Sequence, residues 1–507
     1  MIAQIFSNLT DTILVWPGPL YIIVGVLAGM TFGCIPGLNG PILIALLIPI
    51  TIPLGPTGAM ILTGAIMGAV TCGGSIPAIL INTPGTETNA ATCIEGFPLA
   101  QKGKAALALG TAAVSSSLGG ILGLVMLVAL LPIGDKLILA FSYPETFMLT
   151  LLGISLVVVV SRGNVLRGVA AGFIGLMVTY IGADTFTGQA RYVFGIKFLW
   201  GGVEFLPCLI GMFAVAEAYD MMIKGGVIAE GVPMAKLGNP IKTALTSFKL
   251  GIGTVIKNFG LFLSSCVIGF VIGVIPGVGG TVATFVSYMT AIQTTKDKSN
   301  FGKGEIRGIV AAESANDAKD GGALLPTLLF GLPGSSVMAV LLGLFLLHGI
   351  TPGLQVMRED FGLVATLINS HAIGNLLVAL IALTVAPFIA RLTTIRVSLI
   401  APVVLSFALL GSLASTGNFN NVLLAIIFGV LGYFFKKFGY SRVAFIIALV
   451  LGSSMEQSYR QTLQTMGAKG FFTRPIALIM FIVTILAIIY GFYMNQKEET
   501  GIEADED

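Results

Sequence analysis

Apolar runs follow one another along the whole chain, separated by short polar or glycine-proline punctuation rather than alternating with it. Residues 21–35 form a first apolar segment ending at Pro36-Gly37, and 41–52 form a shorter one bounded by Pro53 and Pro56. Residues 58–70 lead to Gly73-Gly74-Ser75-Ile-Pro77 and then to a break at Asn82-Thr83-Pro84-Gly85. Residues 105–131, 147–160, 165–180 and 203–222 read as ordinary spans. The second half opens with 261–275 and 281–292, a polar stretch reaching Asp320, and breaks at Pro326 and Pro333-Gly334. Later spans follow at 340–347, 363–390, 397–413, 422–435, 443–451 and 476–494. Crossing a hydrocarbon core takes roughly 20 apolar residues. The pattern therefore predicts an all-α integral membrane protein with about 12 to 14 membrane-inserted segments. A β-barrel is excluded because the runs are continuous.

The punctuation repeats. Gly29-Met-Thr-Phe-Gly33-Cys-Ile-Pro36-Gly37-Leu-Asn39-Gly40 returns as Gly269-Phe-Val-Ile-Gly273-Val-Ile-Pro276-Gly277-Val-Gly279-Gly280, an offset of 240 residues. Pro77-x6-Pro84-Gly85 returns as Pro326-x6-Pro333-Gly334, an offset of 249. Nine extra residues must then lie between the two motifs of the second half, and the polar segment 294–307 is the natural place. Two motifs recurring in order argue for duplication. The chain divides into an N-terminal repeat (1–222), a basic linker (223–257) and a C-terminal repeat (258–507). Sequence alone does not choose between parallel and inverted halves; inverted topology with re-entrant hairpins is the expectation for transporters built from broken helices. Lys224, Lys236, Lys242, Lys249 and Lys257 put the linker in the cytoplasm, with Arg162 and Arg167 on the same side. Residues 184–197 then face outside, and Lys436, Lys437 and Arg442 mark another cytoplasmic loop. Residues 1–11 carry neither a basic region nor a small-residue cleavage pattern, so no cleaved leader is expected.

Composition agrees. Of 507 residues, 55% are hydrophobic and 10% charged, against about a quarter charged in a soluble domain. The formal charge of +3 gives no reason to expect nucleic acid. Sixty-five glycines and 22 prolines suit close helix approach and breaks that line a cavity. The five cysteines lie in apolar segments without metal-ligand spacing and read as small buried hydrophobes.

A broken helix exposes carbonyls on one side, which attract sodium, and amides on the other, which attract carboxylates. Gly37, Gly40, Gly85, Gly277, Gly279, Gly280 and Gly334 let a ligand touch the backbone beside Pro36 and Pro276. Asn39, Thr83, Thr86, Thr281, Ser335 and Ser336 add neutral oxygens or amides there. One Pro-Gly alone reads as a packing kink; four breaks paired by repeat read as a site for an anion with a hard cation. Glu313, Asn316 and Asp317 share one helix face at i, i+3, i+4, with Lys319 and Asp320 following. Inside a membrane they are functional candidates; the alternative is a solvated loop continuing from Lys296 to Arg307. Asn39, Asn316 and Asp317 form the expected cation neighbourhood. Glu95, Glu145, Glu204 and Glu217 read as acids solvated near span ends, His348 and His371 as packing residues, and Arg191 as a loop ion-pair partner of Asp184. No Gly-Lys-Ser/Thr nucleotide loop, His-Glu-x-x-His or Gly-x-Ser-x-Gly is present, so no catalytic residue and no cofactor are expected.

Gly33-x-x-Pro-Gly-Leu-Asn-Gly40, Ile81-Asn-Thr-Pro-Gly-Thr86 with Glu95-Gly-x-Pro98, Asp184-x-x-Thr-Gly-x-x-Arg191-x-x-Phe-Gly195, Glu313-x-x-Asn-Asp-Ala318, Gly321-Gly-x-x-x-Pro326 and Gly331-x-Pro-Gly-Ser335 resemble the large membrane subunit of the tripartite tricarboxylate transporters. The likeness covers almost the whole chain. It implies a bacterial inner-membrane permease acting with a small membrane subunit and a periplasmic solute-binding protein. Such systems import carboxylates, tricarboxylates such as citrate among them, on a Na+ or H+ gradient, and the likeness suggests elevator-type movement. Asp317 departs from the pattern, which has a second asparagine after Asn316. A membrane enzyme on lipid-linked substrates and a passive channel are the rival readings.

Overall fold

The computed structural model describes residues 2–36, 38–160, 165–184, 186–225, 240–276, 279–389, 397–414, 417–486 and 488–489. Helix dominates throughout. Helix α1 (Ile2–Asn8) runs through a π-turn into α2 (Gly18–Cys34), the pair bent by 94°. Helix α3 (Gly40–Ile81) follows, then α4 (Ala90–Leu99), α5 (Ala105–Ala140), α6 (Tyr143–Val160) and α7 (Val165–Thr179). A two-stranded ribbon pairs β1 (Gly182–Ala183) with β2 (Ala190–Arg191), a small β element in a chain read as all-α. Helices α8 (Phe205–Ile210) and α9 (Ala216–Lys224) are joined by a π-turn.

Helix α10 (Pro240–Lys257), expected as part of a linker, meets α11 (Phe259–Val274) at 86°. Then come α12 (Gly279–Thr294), α13 (Ile306–Phe330), α14 (Ser336–Leu347), α15 (Leu354–Arg358) and α16 (Phe361–Ile389). Helices α17 (Val397–Ala414), α18 (Phe419–Phe438), α19 (Arg442–Met466), α20 (Gly470–Thr473) and an apolar helix at Pro475–Leu486 complete the chain. Among the described residues five helices are long and apolar enough to cross a membrane, seven if each bent pair is one span, with four shorter apolar helices besides. Sequence reading expected 12 to 14 inserted segments. Part of the difference is local: 41–52 and 58–70 are two helical stretches of α3 that meet at a sharp kink, where Gly55 (φ 68°, ψ 177°) is not helical, and together they count as one span.

Pro77 and Pro326, read as breaks, lie inside helices. Their carbonyls accept the amides of the capping turn: Thr83 N–H to Pro77 O at 3.3 Å, Leu332 N–H to Pro326 O at 3.2 Å. The turns themselves sit five residues on, at Asn82 (φ 54°) and Gly331 (φ 66°), both left-handed as this type of helix ending requires. The other pair of breaks also matches, with Ile35 at φ −89°, ψ 109° and Ile275 at φ −82°, ψ 112°.

The crossings obey the same arithmetic. A Cβ on Gly29 would press on the Ile66 carbonyl and one on Gly33 would collide with that of Val70, so α2 lies directly on α3. Gly269 and Gly273 meet the carbonyls of Ala315 and Lys319, laying α11 on α13. Small residues give this closeness in a membrane, where packing rather than water exclusion holds helices together. Helix α3 is flanked by α16 and α13 by α5; α5 and α16 meet each other where Gly120 faces Asn375. Helices α6, α7, α8–α9 and α17–α19 form a second packed group beside these.

Glu95, Glu145 and Glu217 are buried and paired, where solvation near span ends was expected, and Glu204 is half-buried. Glu145 bonds Arg474, Glu217 bonds Lys436 at 2.7 Å, and Glu204 accepts from Asn421 at 2.8 Å. Glu95 accepts from Tyr288 Oη and from the amides of Gly302, Gly304 and Glu305 at 2.6–2.7 Å, pinning the 295–305 connection. Burying a carboxylate without such partners would cost several kcal/mol (roughly 3–5). Arg191 does meet Asp184, at 3.5 Å, within a larger network that adds Glu456 and Arg460. Among the described residues no disulfide joins the cysteines; Cys34, Cys72, Cys208 and Cys266 are buried and Cys93 half-buried.

Candidate functional site

The four breaks touch one another. A Cβ on Gly85 would collide with the Gly33 carbonyl, so the second break of the first half sits on its first break; a Cβ on Gly334 would come within 2.9 Å of the Gly273 carbonyl in the same way. The halves then interlock. Gly40 at the start of α3 lies against Val337 of α14, and Gly280 of α12 lies against Thr88, just past the 82–86 turn. These two contacts exchange under the sequence offsets, 40 with 280 and 88 with 337.

Local chemistry shapes each break. Asn39 caps α3, its Oδ1 accepting from Ile42 N–H at 3.5 Å, and Ser335 caps α14 through Met338 N–H at 3.3 Å. Ser336 is the first residue of α14. Gly279 holds φ 77°, with open space where a Cβ would be. Thr83 Oγ1 turns back to the Ile81 carbonyl at 3.2 Å, and the Gly85 amide bonds Gly74 O at 3.2 Å. The Thr281 carbonyl accepts from Thr284. Pro36 and Pro276 are half-buried at the edge of this region; Gly37 and Gly277 lie outside the described residues.

Glu313, Asn316 and Asp317 are fully buried on α13. The solvated-loop alternative is overturned: helix begins at Ile306 and carries all three into the interior. A hydrogen-bond chain joins them to the breaks. Thr86 Oγ1 donates to Asn89 Oδ1, Asn89 Nδ2 reaches Glu313 Oε1 at 3.4 Å, and Thr92 donates to the same oxygen. Ser116 of α5 donates to Asp317 Oδ2. Glu313 Oε2, Asp317 Oδ1 and both side-chain atoms of Asn316 have no hydrogen-bond partner within the described protein. Buried polar atoms are nearly always paired, so such a group of unpaired ones marks a place for a ligand. Asn39 is committed to its cap, whereas Asn316 and Asp317 carry unspent oxygens.

Sequence reading missed the opposing wall. Ser115, Ser116 and Ser117 on α5, with His371 and Asn375 on α16, are all buried. His371 and Asn375 also have side-chain atoms without partners. The signal was present as three consecutive serines and an isolated histidine inside apolar spans. Among the described residues no group of three or more His, Cys, Asp and Glu side chains could hold a metal ion by those residues alone.

Interlocked broken helices around a buried polar helix, in a chain with several membrane-length helices, define a multispan membrane protein of the transporter class. The chain belongs to the Tripartite tricarboxylate transporter TctA family, which it matches over residues 20–447. It is similar to an uncharacterized 52.8 kDa protein in the TAR-I ttuC' 3'region of Agrobacterium vitis, 32% identical over 99% of this chain and all of that one. An uncharacterized protein in the TAR-II ttuC' 3'region of the same organism is 31% identical over 47% of this chain and its own full length. No solved structure matches.

Proposed function

We propose that the chain is the large membrane subunit of a secondary-active system in the bacterial inner membrane that imports a di- or tricarboxylate on a Na+ or H+ gradient. A periplasmic solute-binding protein delivers the substrate and a small membrane subunit completes the permease. Two homologous repeats, of inverted topology, hold the substrate where their breaks interlock; the second begins near residue 240, with α10. The interlocked helices then move against the group containing α17–α19 as an elevator. The observation that carries this reading is the reciprocal contact of Gly40 with Val337 and Gly280 with Thr88. It brings helix amide ends together, while the carbonyl ends at Gly33 and Gly273 lie against Gly85 and Gly334; broken-helix ends of both kinds in one region are the arrangement that takes a carboxylate and a cation. The unspent oxygens of Asn316, Asp317 and Glu313 support a coupling cation beside it. Occlusion between matched half-sites favours alternating access over a channel.

Uptake of radiolabelled citrate and succinate into vesicles carrying the chain, its small subunit and the binding protein tests the proposal. Uptake should collapse when Na+ and H+ gradients are both dissipated. Unchanged uptake would reject coupling, and non-saturating flux would favour a channel.

A further inference from the structure

The two interlocking points share a backbone frame but not their chemistry. Around Gly40 stand methyl groups of Val70 and Val337, 3.4 and 3.3 Å from where a Cβ would sit. Around Gly280, at positions related by the same offsets, stand the Cδ and Cε of Lys319 and the Cγ2 of Thr88. One crossing is apolar, and the other carries an ammonium and a hydroxyl.

Lys319 is nearly enclosed, its side chain 9% exposed, and its Nζ lies 2.7 Å from Asp320 Oδ1. A cation at this depth needs an anion, and Asp320 supplies it while using one of three N–H donors. Thr88 Oγ1 shares a hydrogen bond with Thr86 Oγ1 at 2.9 Å, holding its hydroxyl at the turn. Main-chain dipoles at the breaks present partial charges, whereas Lys319 presents a whole one where α12, α13 and the 82–86 turn meet.

We propose that Lys319, seated over Gly280 beside Thr88, binds one carboxylate of the transported anion, with Asp320 as a positioning residue that keeps the ammonium in place. The substrate is then anchored by one charged end at the second-half crossing. This rests on the carboxylate-permease reading and adds to it the side chain that reads substrate charge.

The test compares wild type with Lys319→Gln, Lys319→Arg and the double variant Lys319→Gln/Asp320→Asn, the last leaving no uncompensated charge. Citrate, succinate and acetate serve as probes, in vesicle uptake with the partner subunits and in calorimetric binding to the purified membrane subunits alone. Loss of one charge-assisted bond should weaken citrate and succinate binding about tenfold or more in both Gln variants, with Arg within about threefold of wild type. The preference for citrate over acetate should shrink in parallel. Wild-type uptake with unchanged Kd and preference in both Gln variants would overturn this inference alone. No carboxylate uptake or binding by the wild type would overturn the permease reading and this inference with it.

Discussion

The helix pair α2–α3 and the pair α11–α13 cross at equivalent glycines and end in equivalent left-handed turns, yet their polar content is opposite. Positions 64, 67, 68, 70 and 71 of α3 are Gly, Met, Gly, Val and Thr; their counterparts on α13 are Glu313, Asn316, Asp317, Lys319 and Asp320. On α3 the bare positions take a neighbouring helix: a Cβ on Gly68 would press on the His371 carbonyl and the Asn375 amide of α16. On α13 the same positions carry acids facing Thr92 and Ser116. One half supplies a tight mount, while the other carries the buried polar groups of the proposed site. Matched crossings thus leave room for the one-sided site proposed above, since backbone crossings need only small residues at fixed spacing and leave the other faces free to diverge.

The strongest way to break the comparison is at the crossings. Gly33→Val and Gly273→Val should each destabilise the protein by about 3 kcal/mol or more, because the new side chain meets a backbone carbonyl and neither helix can yield. Thermal melting in detergent should fall for both; a tolerant Gly273 beside an intolerant Gly33 would show the crossings to be unlike. Next come the acids. Asp317→Asn and Glu313→Gln should lower gradient-driven uptake about tenfold or more while melting stays level or rises, since removing a buried charge relieves desolvation. Unchanged uptake would remove them from the site. Asn316→Ala and Asn39→Ala should cut uptake several-fold with normal insertion, Asn39 at an added stability cost of about 1 kcal/mol for its lost cap.

The smallest effect lies outside both pairs and serves as a control. Amides donating to Asp184, that of Phe186 first, and then Arg460, hold its carboxyl below the ordinary 3.8. A lowered carboxylate stabilises above its unfolded value and loses that contribution as pH falls through the folded one. Protease nicking within 182–202 should therefore stay low at neutral pH and rise only on acidification below about 4, the unperturbed carboxylate range. Arg460→Gln should move that rise to higher pH without changing carboxylate affinity.

Much of this frame was legible in the chain. Pro36 and Pro276 announced two breaks, and the polar segment 294–307 holds the 295–305 connection that separates α12 from α13. Pro77 and Pro326 misled because a proline costs a helix its own amide but leaves its carbonyl to close a cap further on. The polar run to Asp320 misled too, since hydropathy counts charges and is blind to the serines and threonines that receive them.

Sequence by itself determined the membrane class, the doubled order of breaks and the glycine spacing, because hydrophobicity and backbone permissiveness are properties of local residues. Only the tertiary structure decided that the breaks interlock across the halves, that Glu95 is a clamp, and that Glu313 and Asp317 meet Asn89, Thr92 and Ser116. Those facts depend on contacts between residues some 200 positions apart. Pairing energy at such distances comes from geometry that no short window of chain contains.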